Sequence, residues 1–545
     1  MGTQLVRTNL GVLGNSTLTE RYVRNPELLE LPTLVDGDEE ILILQKVFEQ
    51  GENWLVVQIQ GAYEVDWGDG DVTTHTSGSK AYKSVNWSGV SSSTLTSGGY
   101  RQSIVRITPQ AGQQLTLFNG VQTITEDPLV PNSNVVSVKM AGQNFTTMNT
   151  AFQNFTNLQD FEFVGSNNFN AINNMFANCY NLRKVYQLDT SSAVSVNALF
   201  NGCFNLLEIP QLNLDNCTNL ASGFYNCTNL TYIPTIDLSN SPLTSLSSSF
   251  RNCVKISKLP VKNTEKIGDW LYTFSGMENM TSIEGISFSA ATTLNSTFYL
   301  SYNIERINPL GWPTNYTGSL NSTFNGCQRL TDITPFQTSG CTNFTSTFNN
   351  CRKLTDLSWV DLSSAIEAQG VTSFMFSLKK PPVNLPTDFN KYLNQTHYSN
   401  RSLREPIDIP NTAKPTRLYY FARDAYSLEK LPEFDASEVQ DIRAMAYQAY
   451  SISVLPAYNF SAVTLSDATT FAYMYNLRES NVYGLTRTHS YQRCQLSREE
   501  IVNIFNNLGT ASGAQTITVS LNPGSSSVSA GEIAIATGKG WTVTI

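Results

Sequence analysis

This sequence is short of charge, of histidine and of long apolar runs. Charged residues make up 14% of its 545 residues, and 35 basic side chains face 44 acidic ones for a net charge of −9. A surplus of acid excludes phosphate-backbone binding as the main task, so nucleic acid is not an expected partner. No stretch approaches the roughly 18 consecutive apolar residues of a membrane span, which predicts no membrane insertion. The opening MGTQLVRTNLGVLGNS lacks the apolar run and small-residue cleavage site of a secretory signal, so export by a signal peptide of its own is not expected. The three histidines, His75, His397 and His489, are far apart in sequence, and each reads as a surface or loop residue rather than part of a triad or metal site. Nine cysteines occur without the C-x₂₋₄-C spacing of zinc sites, and no metal or cofactor is expected.

What is present is repetition. The segments Met175 to Leu182, Leu199 to Leu206, Gly223 to Leu230, Ser249 to Ile256, Thr323 to Leu330 and Thr347 to Leu354 share the template F-x-[NG]-C-x-x-[LI] in all but their most divergent positions. Its last apolar position runs through Leu158, Leu182, Leu206, Leu230, Ile256, Met280, Ile304, Leu330, Leu354, Leu378, Leu403, Leu428, Ile452 and Leu477, in steps of 24 to 26 residues. We call these fourteen residues the anchors. A second apolar residue often follows three positions later, as in Leu206 and Ile209 or Leu428 and Leu431, and the best-formed units end on an alternating pair such as Ile236 and Leu238 that reads as a short strand. The stretch before each Phe, such as Leu320 to Phe324, is long enough only for a single helical or 3₁₀ turn. One such unit cannot bury its apolar edge alone; stacked units build a continuous core. Fourteen rungs at a strand spacing of about 4.8 Å predict a solenoid roughly 65 Å long.

Six cysteines, Cys179, Cys203, Cys227, Cys253, Cys327 and Cys351, share one template position. One Cys per rung predicts a column of buried free thiols used for packing, and Met277, Ser301 and Ala449 take the same place elsewhere. Asp332 and Asp356 fall at equivalent positions two residues after successive anchors and are the cheapest candidates for a carboxylate pair that cleaves glycans. Glu208, Lys258 and Arg306 hold that position in other units, which favours solvated rung positions and no catalytic residue. Tyr232, Trp312 and Trp359 are the candidate binding residues, because aromatic side chains suit sugar or protein faces.

The ends differ from the array. WLVVQIQ, AYEVDW and SIVRITP, separated by Gly- and Ser-rich turns, predict a small antiparallel β domain. Within it Asp66, Trp67, Gly68, Asp69 and Gly70 form a turn motif in which Asp66 caps the turn and Trp67 plugs the core; the Asp pair is also a candidate calcium site. Residues 1–50 read as an arm suited to docking on a partner, 51–128 as the β domain, 129–495 as the solenoid and 496–545 as a cap. In the cap, Ser497 to Glu500 reads as a capping box opening a helix over Ile501 to Leu508, followed by strands in QTITVSL and GWTVTI.

The template F-x-[NG]-C-x-x-L-T-x-[IL] resembles the BspA-like leucine-rich repeats, strongly from Phe176 to Leu354 and only in its spacing after Leu378. The WGDG turn resembles the signature of PKD-like immunoglobulin-type domains, with Tyr82 as the counterpart of that family's later aromatic. A WGDG domain, such repeats and a terminal segment like LSREEIVNIFNNLG…GKGWTVTI together resemble an arrangement found in marine phage structural and tail-associated proteins. The expectation is a mainly β protein: an immunoglobulin/PKD-like sandwich, a leucine-rich-repeat-like solenoid and a small α/β cap. The resemblance implies a non-enzymatic virion fibre, spike or decoration, assembled in the host cytoplasm, docked to other virion proteins by its arm and touching a host-surface glycan or protein. A bacterial cell-surface adhesin and a glycan-cleaving tailspike are the alternatives, and homo-oligomerisation stays open.

Overall fold

The computed structural model describes residues 22–120, 132–259 and 261–545. The boundary expected at 128/129 and the first 21 residues of the expected arm lie outside the described residues. Ten strands build the first part: β1 (Glu40–Val47), β2 (Trp54–Gln60), β3 (Tyr63–Asp66), β4 (Val72–His75), β5 (Lys80–Ser84), β6 (Arg101–Pro109), β7 (Leu117–Asn119), β8 (Val135–Ala141), β9 (Asp160–Val164) and β10 (Lys184–Val185). They form a seven-stranded sheet in the order β10-β9-β8-β1-β6-β3-β4 and a three-stranded sheet in the order β5-β2-β7. The alternating burial of Tyr63 and Val65 on β3 against exposed Glu64 and Asp66 is the pattern of a half-buried strand.

The long sheet joins the two expected domains. β8 pairs antiparallel with β1 and parallel with β9, so one strand belongs to the β domain on one side and to the repeat on the other. β1, placed in the arm by sequence, is a central strand buried on both faces. Ile41 and Ile43 point to the main core, while Leu42 and Leu44 meet Leu28, Leu31 and Leu34 on the outside. Burying three leucines at roughly 1.5–3 kcal/mol each is enough to hold residues 28–34 down. Arg24 and Tyr22 add contacts of 3.4 Å and 3.0 Å to the Asp160 carboxylate. Residues 22–47 are therefore part of the fold rather than a projecting arm.

From β8 onward the chain is a β-solenoid with one continuous core. Every one of the fourteen anchors is 3% exposed or less, including those in the degenerate part after Leu378. Parallel pairing links successive rungs, as in Ser282↔Arg306↔Asp332 and Ile236↔Val261. Stacking begins before the first anchor, at Leu117↔Thr147, and continues past the last into the cap.

The side carrying the Phe template is not a 3₁₀ turn. In each rung but the last, the residues eight and four positions before the anchor have left-handed backbones, as at Thr150 and Asn154 (φ 56° and 65°), Asn174 and Asn178, and Ser222 and Asn226. Alternate N–H groups then close i→i+3 turns, as Gln153 to Thr150, or donate to the next rung, as Thr150 to Asn173 (2.8 Å), Phe152 to Met175 (2.9 Å) and Asn154 to Ala177 (2.8 Å). This explains the [NG] of the template, since Asn and Gly tolerate the left-handed region best. Phe374, Ser399, Asp424, Gln448 and Tyr473 hold the same conformation in the later rungs, so the fold outlasts the motif.

The cap continues the stack. Strands His489–Ser490, Gln515–Thr518 and Trp541–Thr544 pair in parallel, joined by α1 (Arg498–Asn507) and α2 (Ala530–Thr537). Ser497 caps α1, but Glu500 does not return the bond; its carboxylate accepts from the Ser480 N–H at 2.9 Å and ties α1 to the last rungs. The reciprocal capping box is in α2, between Ser529 and Glu532.

Candidate interaction surface

Three features of the stack decide what the solenoid can offer a partner: its internal ladders, its charged column and its aromatic turn face. Inside, nine phenylalanines from Phe152 to Phe348 stack ring on ring, with centroids 5.3–6.5 Å apart. Beside them the six ladder thiols are buried and free. Each donates its S–H to the carbonyl of the Phe one rung back: Cys179 to Phe152 (3.0 Å), Cys203 to Phe176 (3.1 Å), Cys227 to Phe200 (3.1 Å), Cys253 to Phe224 (3.1 Å), Cys327 to Phe298 (3.2 Å) and Cys351 to Phe324 (3.0 Å). Ser301 makes the same bond to Phe274 at 2.6 Å. Where a thiol or hydroxyl stands here it adds a hydrogen bond to its packing, while Met277 and Ala449 fill the same place in other rungs by volume alone. Burial pushes each of these thiols far above the ordinary range.

After Phe348 the ring position passes to Thr372, His397, Ala422 and Ala446, all buried. His397 and His489 are thus core residues rather than surface ones. His397 Nε2 accepts from the Ile407 N–H at 3.0 Å, and burial pushes it down to about 3. His75 stacks on Tyr63 with centroids 5.1 Å apart.

The column two residues after each anchor is charged and self-neutralising. Lys184 pairs with Glu208 at 2.6 Å, Asp356 with Lys380 at 2.7 Å and Glu405 with Lys430 at 2.7 Å. Lys380 and Ser358 hold the Asp356 carboxyl down at about 2, so it stays ionised where a general acid must be protonated. Asp332 accepts from Asn308 at 3.2 Å and lies in register with Arg306. Both carboxylates are committed to neighbouring rungs.

Tyr232 stands in this column, 53% exposed. Trp312 and Trp359 do not join it. Trp312 lies between Phe288 and Phe336 at 5.0 Å and 4.3 Å, and Phe336 in turn meets Trp359 at 5.3 Å, so both indoles pack within the stack. The three residues share no surface.

In the DWGDG turn one carboxylate of the expected pair, Asp69, already has a cation, and the other, Asp66, caps the turn. Asp66 accepts from the Gly68 N–H at 2.9 Å, and Trp67 is buried with its indole N–H donating to Thr73 at 2.9 Å. Asp69 is shielded from solvent, and Lys83 bridges it and Asp71. Burial opposes ionisation of Asp69, but Lys83 and the N–H groups of Asn86 and Asp71 outweigh it and hold the carboxyl below its usual range. The charge that calcium would bring is supplied by Lys83. Among the described residues no group of three or more His, Cys, Asp or Glu side chains converges as a metal site.

The feature that sequence reading missed lies two residues before the anchors. There Arg352, Phe376, Arg401, Tyr426, Tyr450 and Tyr475 form one ladder. Arg352 lies 5.2 Å and Arg401 4.5 Å from the Phe376 ring, Arg401 also covers Tyr426 at 5.6 Å, and Tyr426, Tyr450 and Tyr475 stack at 4.7 Å and 4.9 Å. Alongside it Arg423 sits among Tyr398, Tyr420 and Tyr447 at 5.8, 4.4 and 5.3 Å. Tyr473, 6.4 Å from Tyr475, joins the two ladders. The signal was in the sequence: the same register two residues before the anchor reads Thr156, Tyr180, Phe204 and Thr228 early in the array and turns to Arg and Tyr late in it.

Comparison with known proteins agrees with this architecture. Residues 247–368 and 321–454 match the BspA type leucine rich repeat region, and residues 146–263 match a Mycoplasma protein family of unknown function. Among solved structures, a leucine-rich repeat protein from Bacteroides ovatus is 15% identical, covering 68% of this chain and 91% of its own with a TM-score of 0.36. The plant peptide hormone receptor RGFR1 in complex with RGF2 is 13% identical over 70% of this chain and 68% of its own, with a TM-score of 0.22. A TLR13–ssRNA13 complex is 15% identical over 68% of this chain and 50% of its own, also with a TM-score of 0.22. The search of curated proteins gave no match.

Proposed function

We propose that this leucine-rich-repeat solenoid is a non-enzymatic binding protein of a biological surface, with its late turn face as the contact region. The observation that carries this reading is the unbroken run of Arg and aromatic side chains from Arg352 to Tyr475 in the turn column of the late rungs, where the earlier rungs mix Thr, Val, Glu and Gln with Tyr and Phe, while the core beneath keeps its anchors. Side chains that vary over an unchanging scaffold are how repeat proteins acquire partners. Tyr and Arg are the types that carry most binding energy at interfaces.

The placement we favour is a virion: a fibre, spike or surface decoration made in the host cytoplasm. Its support is the thiol ladder. Six S–H groups are hydrogen-bond donors to backbone carbonyls, so the fold uses its cysteines reduced, as a cytoplasmic site of assembly keeps them. The expected docking to other virion proteins falls to residues 1–21, since residues 22–47 are taken up in the fold. The second reading is a bacterial cell-surface adhesin, which the match to BspA-type repeats favours. The PKD-like assignment of the β domain rests on its two sheets and the buried Trp67 of the turn.

Sedimentation of virions and of cell envelopes from the producing culture, probed for this chain, tests the proposal. Co-sedimentation with particles supports the first reading and with envelopes the second. Recovery only as free protein in the soluble fraction overturns both.

A further inference from the structure

The late turn face has unspent positive charge. Arg352, Arg401, Arg417 and Arg493 are exposed and stacked on rings: Arg417 lies 4.6 Å from Tyr392 and Arg493 5.3 Å from Tyr473. None of the four is paired with a carboxylate among the described residues, whereas Arg423 and Arg443 are engaged by Asp424 and Asp441. A guanidinium held over a ring is restrained in place, and although Arg352 spends its Nε–H on Asn350 at 2.7 Å, its terminal N–H groups remain to take a carboxylate or sulfate. Arginines without a direct ion-pair partner, of which Arg401 also acts on Asp424 at longer range, mark a local preference for an anion on a chain of net charge −9.

The ladder also discriminates among polyanions. Within it the ring faces are closed by their neighbours, with Tyr426 and Tyr450 inclined by only 4°. Bound bases need open aromatic faces, whereas the Tyr450 ring is sandwiched between Tyr426 and Tyr475, so the ladder offers a ligand its phenol hydroxyls and guanidinium groups. Those groups recur once per rung, at 4.7 Å and 4.9 Å along Tyr426, Tyr450 and Tyr475, a spacing comparable to one sugar ring. Sugar hydroxyls and acid groups are the matching chemistry.

We infer that the ladder from Arg352 to Tyr475 binds an acidic polysaccharide laid along the solenoid axis, with its carboxylate or sulfate groups on Arg352 and Arg401 and its hydroxyls on the tyrosines. This rests on the surface-binding reading above and names the ligand class for the same face.

Titration calorimetry of the full chain with polygalacturonate, dextran sulfate, neutral dextran and a single-stranded oligodeoxynucleotide tests it. At least one acidic glycan is expected to bind, the carboxylated and sulfated probes separating the two acid groups, with neutral dextran inert. The double variant Arg352→Gln/Arg401→Gln should weaken that binding at least tenfold, Arg401→Lys by less, and the distant control Lys184→Gln not at all. The single variant Arg401→Gln is the fallback if near-UV circular dichroism shows the double variant misfolded. Equal binding of neutral dextran, tighter binding of the oligonucleotide, or arginine variants that behave like the control overturn the inference. If neither acidic glycan binds while the chain still co-sediments with particles or envelopes, the ligand class is wrong and the surface-binding reading stands.

Discussion

The Sγ of Cys203 lies 3.1 Å from the carbonyl oxygen of Phe176, one rung back, and gives that oxygen a second donor beside the Cys179 N–H at 3.1 Å. The bond ties together the two most repetitive residues of the template. It makes the thiol a structural donor rather than a filler.

Replacing Cys227 by Ala should remove the second donor to the Phe200 carbonyl, which keeps the Cys203 N–H, and lower stability by about 0.5–1.5 kcal/mol. Cys227→Ser should cost less, because Ser301 already makes this bond with a hydroxyl. Urea unfolding midpoints of the two variants against the parent decide the order. Equal losses would reduce the position to volume alone.

All nine cysteines are buried, and burial pushes even Cys341 and Cys494 up to about 12. Native protein at pH 8 should therefore resist alkylation by iodoacetamide and react fully only after unfolding. Mass spectrometry of the labelled chain counts the modified thiols.

Two buried histidines make the fold sensitive to acid. Burial pushes His397 down to about 3 and His489 down to about 4, from an ordinary value of 6.5. Below pH 6.5 the unfolded chain takes up protons that the native chain refuses, so this contribution to stability is complete above 6.5 and is lost progressively as pH falls toward 4 and 3. Unfolding midpoints measured from pH 7.5 to 4.5 should fall, and His397→Gln should flatten the slope while keeping an acceptor for the Ile407 N–H.

Lys83→Met should destabilise the β domain by roughly 1–3 kcal/mol, because the shielded Asp69 loses its counter-charge. If the turn were a calcium site, millimolar calcium would raise the thermal midpoint of the unaltered protein. The geometry predicts no such rise.

Much of this fold was legible because a solenoid writes its core once per rung. The anchors from Leu158 to Leu477, the Cys column and the strands of the cap all follow from spacing and pattern. The left-handed residues were visible as the [NG] of the template, but their meaning was not, since Thr150 and Ser222 carry no such signature. The burial of His397 was hidden because it replaces a phenylalanine in a rung that keeps only the anchor Leu403 of the motif. Residues 22–47 were misplaced because the pairing of β1 with β6 and β8 spans dozens of residues. The Arg and Tyr ladder escaped for the same reason: its members are 24 to 25 residues apart and each alone reads as an ordinary surface side chain. Trp312 and Trp359 attracted attention as aromatics, yet they are packed between phenylalanines.

An antibody fragment raised against the face of Tyr426, Tyr450 and Tyr475 gives the most direct test that this surface is the working one. Applied to intact particles and cells, it is predicted to label their exterior and to block attachment to the partner surface. Labelling that leaves attachment unchanged, or no labelling of any exterior, would contradict the account.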